Sequence, residues 1–152
     1  MMHPTWDLLA YDKNGQLVLS VDIRKSPTAS PEWAAEFRKN VLAHGVYPVT
    51  PYFLIALPDK FFLWKNGNGA DPESKPTYTI DAAPIIEPYL KGTTYTANDL
   101  DRRALEFIIS AWLGSLIYHG RPREEVKEKA RWVVESGLYD AIDGGSLGFG
   151  DR

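Results

Sequence analysis

Between residues 6 and 23 apolar and polar side chains alternate with a period of two, interrupted once by Asn14-Gly15. Successive side chains of a strand point to opposite faces, so the alternation predicts two half-buried strands. Asn-Gly favours a two-residue type I′ loop, where both central residues take positive φ. Such a loop sets Lys13 opposite Gln16. Pairing outward from there, Trp6 meets Ile23, Leu8 meets Val21 and Ala10 meets Leu19. On the intervening rungs Asp7 meets Asp22, Leu9 meets Ser20 and Tyr11 meets Val18. One face then carries Trp6, Leu8, Ala10, Leu17, Leu19, Val21 and Ile23; the other carries Asp7, Leu9, Tyr11, Val18, Ser20, Asp22 and Arg24.

After Ser30 the period changes to that of a helix. Ser30 suits the cap, Pro31 the first turn, Glu32 the positive end of the dipole, and Gly45 the stop. Trp33, Phe37 and Val41 line one side with Ala34 nearby, the pattern of a helix packed on a sheet. Residues 52–57 form an unbroken apolar run, as in a central strand covered on both sides; Pro58-Asp59 opens a turn, and residues 61–65 return as a strand. Residues 67–95 are rich in Gly, Pro and polar side chains and read as a long irregular connection packed on the core.

The chain then becomes helical. One helix is expected from the capping-box-like Thr96–Asp99 to about His119, with Leu105, Ile108, Ile109, Trp112, Leu113 and Leu116 on its apolar face. A second opens at Pro122, carries Val126, Trp132, Val133 and Leu138, and meets a stop signal at Gly137. The predicted organisation is a mixed α/β core over residues 1–66, the connection over 67–95, a helical pair of the same domain over 96–143, and a flexible tail over 144–152.

Composition narrows the function. The chain has 152 residues, enough for one domain with an adequate core. It has no cysteine, which excludes disulfides, thiolate metal sites and a catalytic thiol. A net charge of −3 argues against coating nucleic acid by bulk charge. The most apolar stretch, residues 107–118, is too short to span a bilayer, and no basic-then-apolar leader opens the sequence. A cytoplasmic protein without a membrane partner is the expectation.

The acid pair is the candidate chemistry. Opposed residues have Cβ atoms roughly 5 Å apart, and two carboxylates there repel by about 3 kcal/mol at an effective dielectric near 20. A divalent cation would offset the repulsion, since Mg²⁺ is held by one or two carboxylates plus phosphate oxygens. The plainer accounts place the pair at a wet sheet edge or pair one acid with Arg24 or Lys25. Asp22 and Arg24 are two apart and share a face with Asp7. Two acids, a cation and the Ile23 carbonyl suit metal-assisted phosphodiester cleavage: the metal activates water, and Arg24 stabilises charge on the phosphate.

An acid on a first hairpin strand, acid-x-cation on the second, a helix and then a buried strand resemble the PD-(D/E)XK, or restriction-endonuclease-like, superfamily. The run from Trp6 to Lys65 is similar to nuclease-like domains of bacterial proteins and to the amino-terminal part of type I restriction subunits. The resemblance implies a restriction-endonuclease-like mixed sheet with Asp7 and Asp22 as metal-binding acids. It implies Mg²⁺ or Mn²⁺ as cofactor, Ile23 as a carbonyl ligand, and DNA as substrate. Arg24 stands at the position of the family's lysine, Asp22 where Glu is commoner, and Thr5-Trp6 where a proline precedes the acid. Arginine stays protonated and presents a planar fork, so it does not duplicate a lysine that positions water. The alternative is a non-cutting interaction protein of the same fold. In either case a homodimer is expected, formed in the alternative through the carboxy-terminal helices.

Other residues carry less. Ser20 shares the acid face and could hold a metal-bound water, although strand serines are commonly passive. Arg38 and Lys39 read as solvated or phosphate-touching, and His44 as a cation at a helix end. His3 and His119 have no zinc spacing. Tyr52, Phe53, Phe61, Phe62 and Trp64 could stack bases, but aromatic strands are usually core.

Overall fold

Strands β1 (Leu8–Tyr11) and β2 (Leu17–Ile23) form the antiparallel hairpin that the alternation predicts, with rungs Leu8–Val21, Leu9–Ser20 and Ala10–Leu19 as read from the sequence. The route to those rungs differs from the expected one. Asp12 N–H donates to Gln16 O and Gly15 N–H to Asp12 O, which makes a three-residue loop with Gly15 at φ 81°. The Asp12 carboxylate holds the loop by accepting from the N–H groups of Asn14 and Gln16, both at 2.9 Å. A shift of one residue would turn every later side chain to the wrong face. A bulge opposite Tyr11 cancels it: Tyr11 pairs with Leu17 while Ala10 pairs with Leu19. Tyr11 therefore does not meet Val18, and Val18 packs against the core that Leu19 and Val21 build.

The computed structural model describes residues 7–26, 29–43, 49–65, 74–118 and 120–149; Trp6, Gly45 and all three histidines lie outside them. Helix α1 (Pro31–Ala43) carries the chain from β2 to β3 (Tyr52–Ala56), which lies parallel to β2. The strands β4 (Lys60–Lys65) and β5 (Tyr78–Asp81) continue antiparallel from β3, and β6 (Ser146–Phe149) pairs antiparallel with β1. The result is one six-stranded mixed sheet in the order β5-β4-β3-β2-β1-β6.

The two faces of the sheet are covered differently. Ser30 Oγ accepts from Trp33 N–H at 3.0 Å and so caps α1. Trp33, Ala34 and Phe37 of α1 pack on Phe53, Ile55, Leu57, Phe62 and Trp64. Arg38 lies in this layer too. It is 2 % exposed with its guanidinium 5.5 Å from the Trp64 ring centre, which corrects the expectation of a solvated side chain. The opposite face, with Leu8, Ala10, Leu19, Val21, Ile23, Leu54, Phe61 and Leu63, packs on the helices that follow.

Those helices are α2 (Ala83–Leu90), α3 (Arg102–Tyr118), α4 (Arg123–Lys129), α5 (Arg131–Glu135) and α6 (Leu138–Ile142). The apolar face expected for α3, Leu105 to Leu116, is buried as predicted. Four expectations are corrected. Residues 67–95 contain β5 and α2, because Tyr78 and Ile80 pair with the open edge of β4 and Pro84 falls in a first turn. The Thr96–Asp99 box closes only a short 3₁₀ turn, and α3 starts later, with Asp101 Oδ1 accepting from Ala104 N–H at 2.8 Å. The expected second helix is three short ones, broken at Ala130 and at Gly137, whose φ is 89°. The tail supplies β6, because β1 otherwise leaves an unpaired edge. Among the described residues no helix is long and apolar enough to cross a membrane.

Candidate functional site

Ile23 is the last residue of β2, and its backbone explains what surrounds it. Backbone groups of consecutive strand residues point to opposite sides, and Arg24 N–H donates to Ala56 O of β3 at 3.0 Å. The N–H and C=O of Ile23 therefore point toward β1. There, among the described residues, the ladder of β1 begins only at Leu8. Two side chains complete the missing rung. The Asp7 carboxylate accepts from Ile23 N–H through Oδ2 at 2.6 Å, and Arg102 Nε donates to Ile23 O at 3.2 Å. Arg102 Nη2 also donates to Asp7 Oδ1. Asp7 is 1 % exposed, so its charge is compensated by that guanidinium and by the backbone N–H.

Asp22 is fully buried and lies beside Ile55 on the α1 face. Arg24 lies over it, with Nε 2.9 Å from Oδ1 and Nη2 donating to Oδ2 at 3.4 Å. The same guanidinium stacks 4.8 Å from the ring centre of Phe37 on α1. The structure thus gathers the expected residues Asp7, Asp22, Ile23 and Arg24 at one end of β2, but not as opposed acids on one rung. Asp7 N–H donates to Val21 O at 2.8 Å, its side chain turns to the Asp22–Ile23 peptide, and each acid has its own arginine.

The donors for a divalent ion are therefore engaged by the chain itself. Asp7 Oδ1 and Ile23 O share the guanidinium of Arg102, and Asp22 holds that of Arg24. A metal would have to displace both arginines, so the residues as arranged do not fit one. Among the described residues no three His, Asp or Glu side chains gather in a metal-holding group.

Arg102 is the member that sequence reasoning missed. It lies 95 residues from Asp7, beyond any local pattern. A signal was nevertheless present. Arg102 and Arg103 open α3 with no acidic residue in its first turn, and a cation is disfavoured at the positive end of a helix dipole. Asp101 at the cap offsets part of that cost, and an anion from another element offsets more.

Beside this centre a cleft of about 510 Å³ opens, lined by Lys25 and Ser26 after β2, Pro58 and Asp59 after β3, and Asn98. It lies at the carboxyl ends of the two parallel strands, where α/β sheets commonly place ligands. Asp99 follows the cleft-lining Asn98 in the chain; hydrogen bonds from Thr96 N–H and Oγ1 hold its carboxyl below its ordinary value, with Lys25 adding a smaller pull. The other sequence candidates have structural roles. Ser20 Oγ shares a 3.0 Å hydrogen bond with Thr50 Oγ1, and Phe53, Phe61, Phe62 and Trp64 are core. Comparison with protein-family models, curated proteins and solved structures finds no match for this chain.

Proposed function

We propose that this protein is a restriction-endonuclease-like interaction module that does not cut nucleic acid. In this reading Asp7 and Asp22 are kept as charge-paired structural acids. The observation that carries it is the double occupancy by arginine: Asp7 and the Ile23 carbonyl share the guanidinium of Arg102, and Asp22 holds that of Arg24. The contact surface is α3 together with β6. Phe107, Ala111, Gly114 and Tyr118 recur at spacings of three and four along one side of α3, and Phe107, Tyr118 and Phe149 are 72 %, 58 % and 63 % exposed. Such a patch favours a second copy of the chain as partner.

A second reading, Mg²⁺-dependent DNA cleavage, has one observation in its favour. Arg24 is 35 % exposed and sits next to the cleft-lining Lys25 and Ser26, where a phosphate could reach it. A plasmid-nicking assay with Mg²⁺ and with Mn²⁺ separates the two. The module reading expects no nicking by the wild type and a dimer in light scattering that Phe107→Ser weakens. Nicking that disappears in Asp22→Ala would establish the enzyme instead.

A further inference from the structure

We infer that Arg102 is the resident cation of the acid centre, seated where a divalent metal ion would lie between the Asp7 carboxylate and the Ile23 carbonyl. The inference deepens the non-cutting reading and rests on it. Asp7 Oδ1 and Ile23 O are hard oxygen donors of the kind that hold Mg²⁺ or Mn²⁺. A single guanidinium spans them, Nη2 on the carboxylate and Nε on the carbonyl. Neither oxygen is there by default. The Ile23 carbonyl faces the β1 side, where the described ladder begins only at Leu8, and the Asp7 carboxylate is fixed toward it by the 2.6 Å bond from Ile23 N–H.

Arg102 reaches this place from the outside. Its side chain is 46 % exposed while that of Asp7 is 1 % exposed, so the guanidinium closes the solvent side of a buried anion. Taking it away leaves a buried carboxylate and a carbonyl, both lacking a cation and open to the space the side chain filled. A buried charge with no partner is strongly destabilising, and a small divalent ion is the natural replacement. The pair is thus a cation site filled from within the chain.

The test is a Mn²⁺ titration, read by the electron-paramagnetic-resonance signal of free Mn²⁺, on the wild type, Arg102→Ala, Arg102→Lys and Arg102→Ala combined with Asp7→Asn. The wild type and Arg102→Lys are expected to show no saturable binding at millimolar Mn²⁺. Arg102→Ala is expected to bind one ion per chain at least tenfold more tightly than the wild type, and the added Asp7→Asn is expected to abolish it. Thermal melts give an independent readout: Mn²⁺ raises the melting temperature of Arg102→Ala and leaves the wild type unmoved. If Arg102→Ala folds only with Mn²⁺ present, the inference is supported. If it stays unfolded at saturating Mn²⁺, or binds no more tightly than the wild type, the inference is overturned. The non-cutting reading fails separately, through nicking by the wild type.

Discussion

A carboxylate that is 1 % exposed persists in a folded protein only when its oxygens are engaged, and Asp7 engages both, on Ile23 N–H and on Arg102. Register reasoning located Asp7, Asp22 and Arg24 because the hairpin brings them together within a short stretch of chain. Arg102 lay beyond that reasoning, since its partner is fixed by tertiary packing and not by strand pairing. Tyr52 is a similar long-range polar contact. Its hydroxyl donates to Ser136 O at 2.8 Å, and burial pushes the phenol above its ordinary value of 10.0, with smaller contributions from Tyr78 and Asp140. A raised value in the folded state means that stability is complete below pH 10 and falls as pH rises from the unfolded value through the folded one. Tyr52→Phe should therefore cost about 1 kcal/mol at neutral pH. It should also remove part of the stability loss above pH 10 in urea melts. An unchanged alkaline profile would assign that loss to other groups.

At the scale of elements, the hairpin shows how far a sequence pattern reaches. The alternation of Leu8, Ala10, Leu19, Val21 and Ile23 fixed which residues face the helical layer, and those residues are buried there. The local turn rule failed, because the Asp12 carboxylate favours a longer loop, and the bulge at Val18 restores the facing that the core requires. Burial of one face outweighs the turn preference. Elements were missed where Gly and Pro were numerous, at β5, α2 and β6, since breakers also occupy element ends and close approaches. Gly145 is such a case. A Cβ there would lie 1.8 Å from Tyr11 O, so any side chain collides with the backbone of β1. Gly145→Ala should detach β6 while leaving β1–β5 paired. Amide exchange at Leu8–Tyr11 on the β6 side would then accelerate by orders of magnitude, because those N–H groups lose their partners. Unchanged protection would mean that the tail does not pair.

At the scale of the whole molecule, the net charge of −3 hides a local balance. Both buried acids at the end of β2 are matched by arginines: Arg24, which follows β2 and stacks on Phe37 of α1, and Arg102 from α3. The two helical layers are thereby tied to the central strand by charge as well as by apolar packing, and the acid centre can be read as a joint between layers. The asymmetry of exposure decides what each substitution does. Losing Asp7 frees an arginine that can turn to water; losing Arg102 strands a buried anion. The central claim, that Asp7 is neutralised by Arg102, is tested most directly by a double-mutant cycle on global unfolding with Asp7→Asn, Arg102→Gln and the pair. The account predicts that Arg102→Gln costs about 3 kcal/mol in the wild-type background. It predicts less than about 1 kcal/mol in the Asp7→Asn background, where position 7 no longer carries a charge. Equal costs in both backgrounds, within about 0.5 kcal/mol, would contradict it.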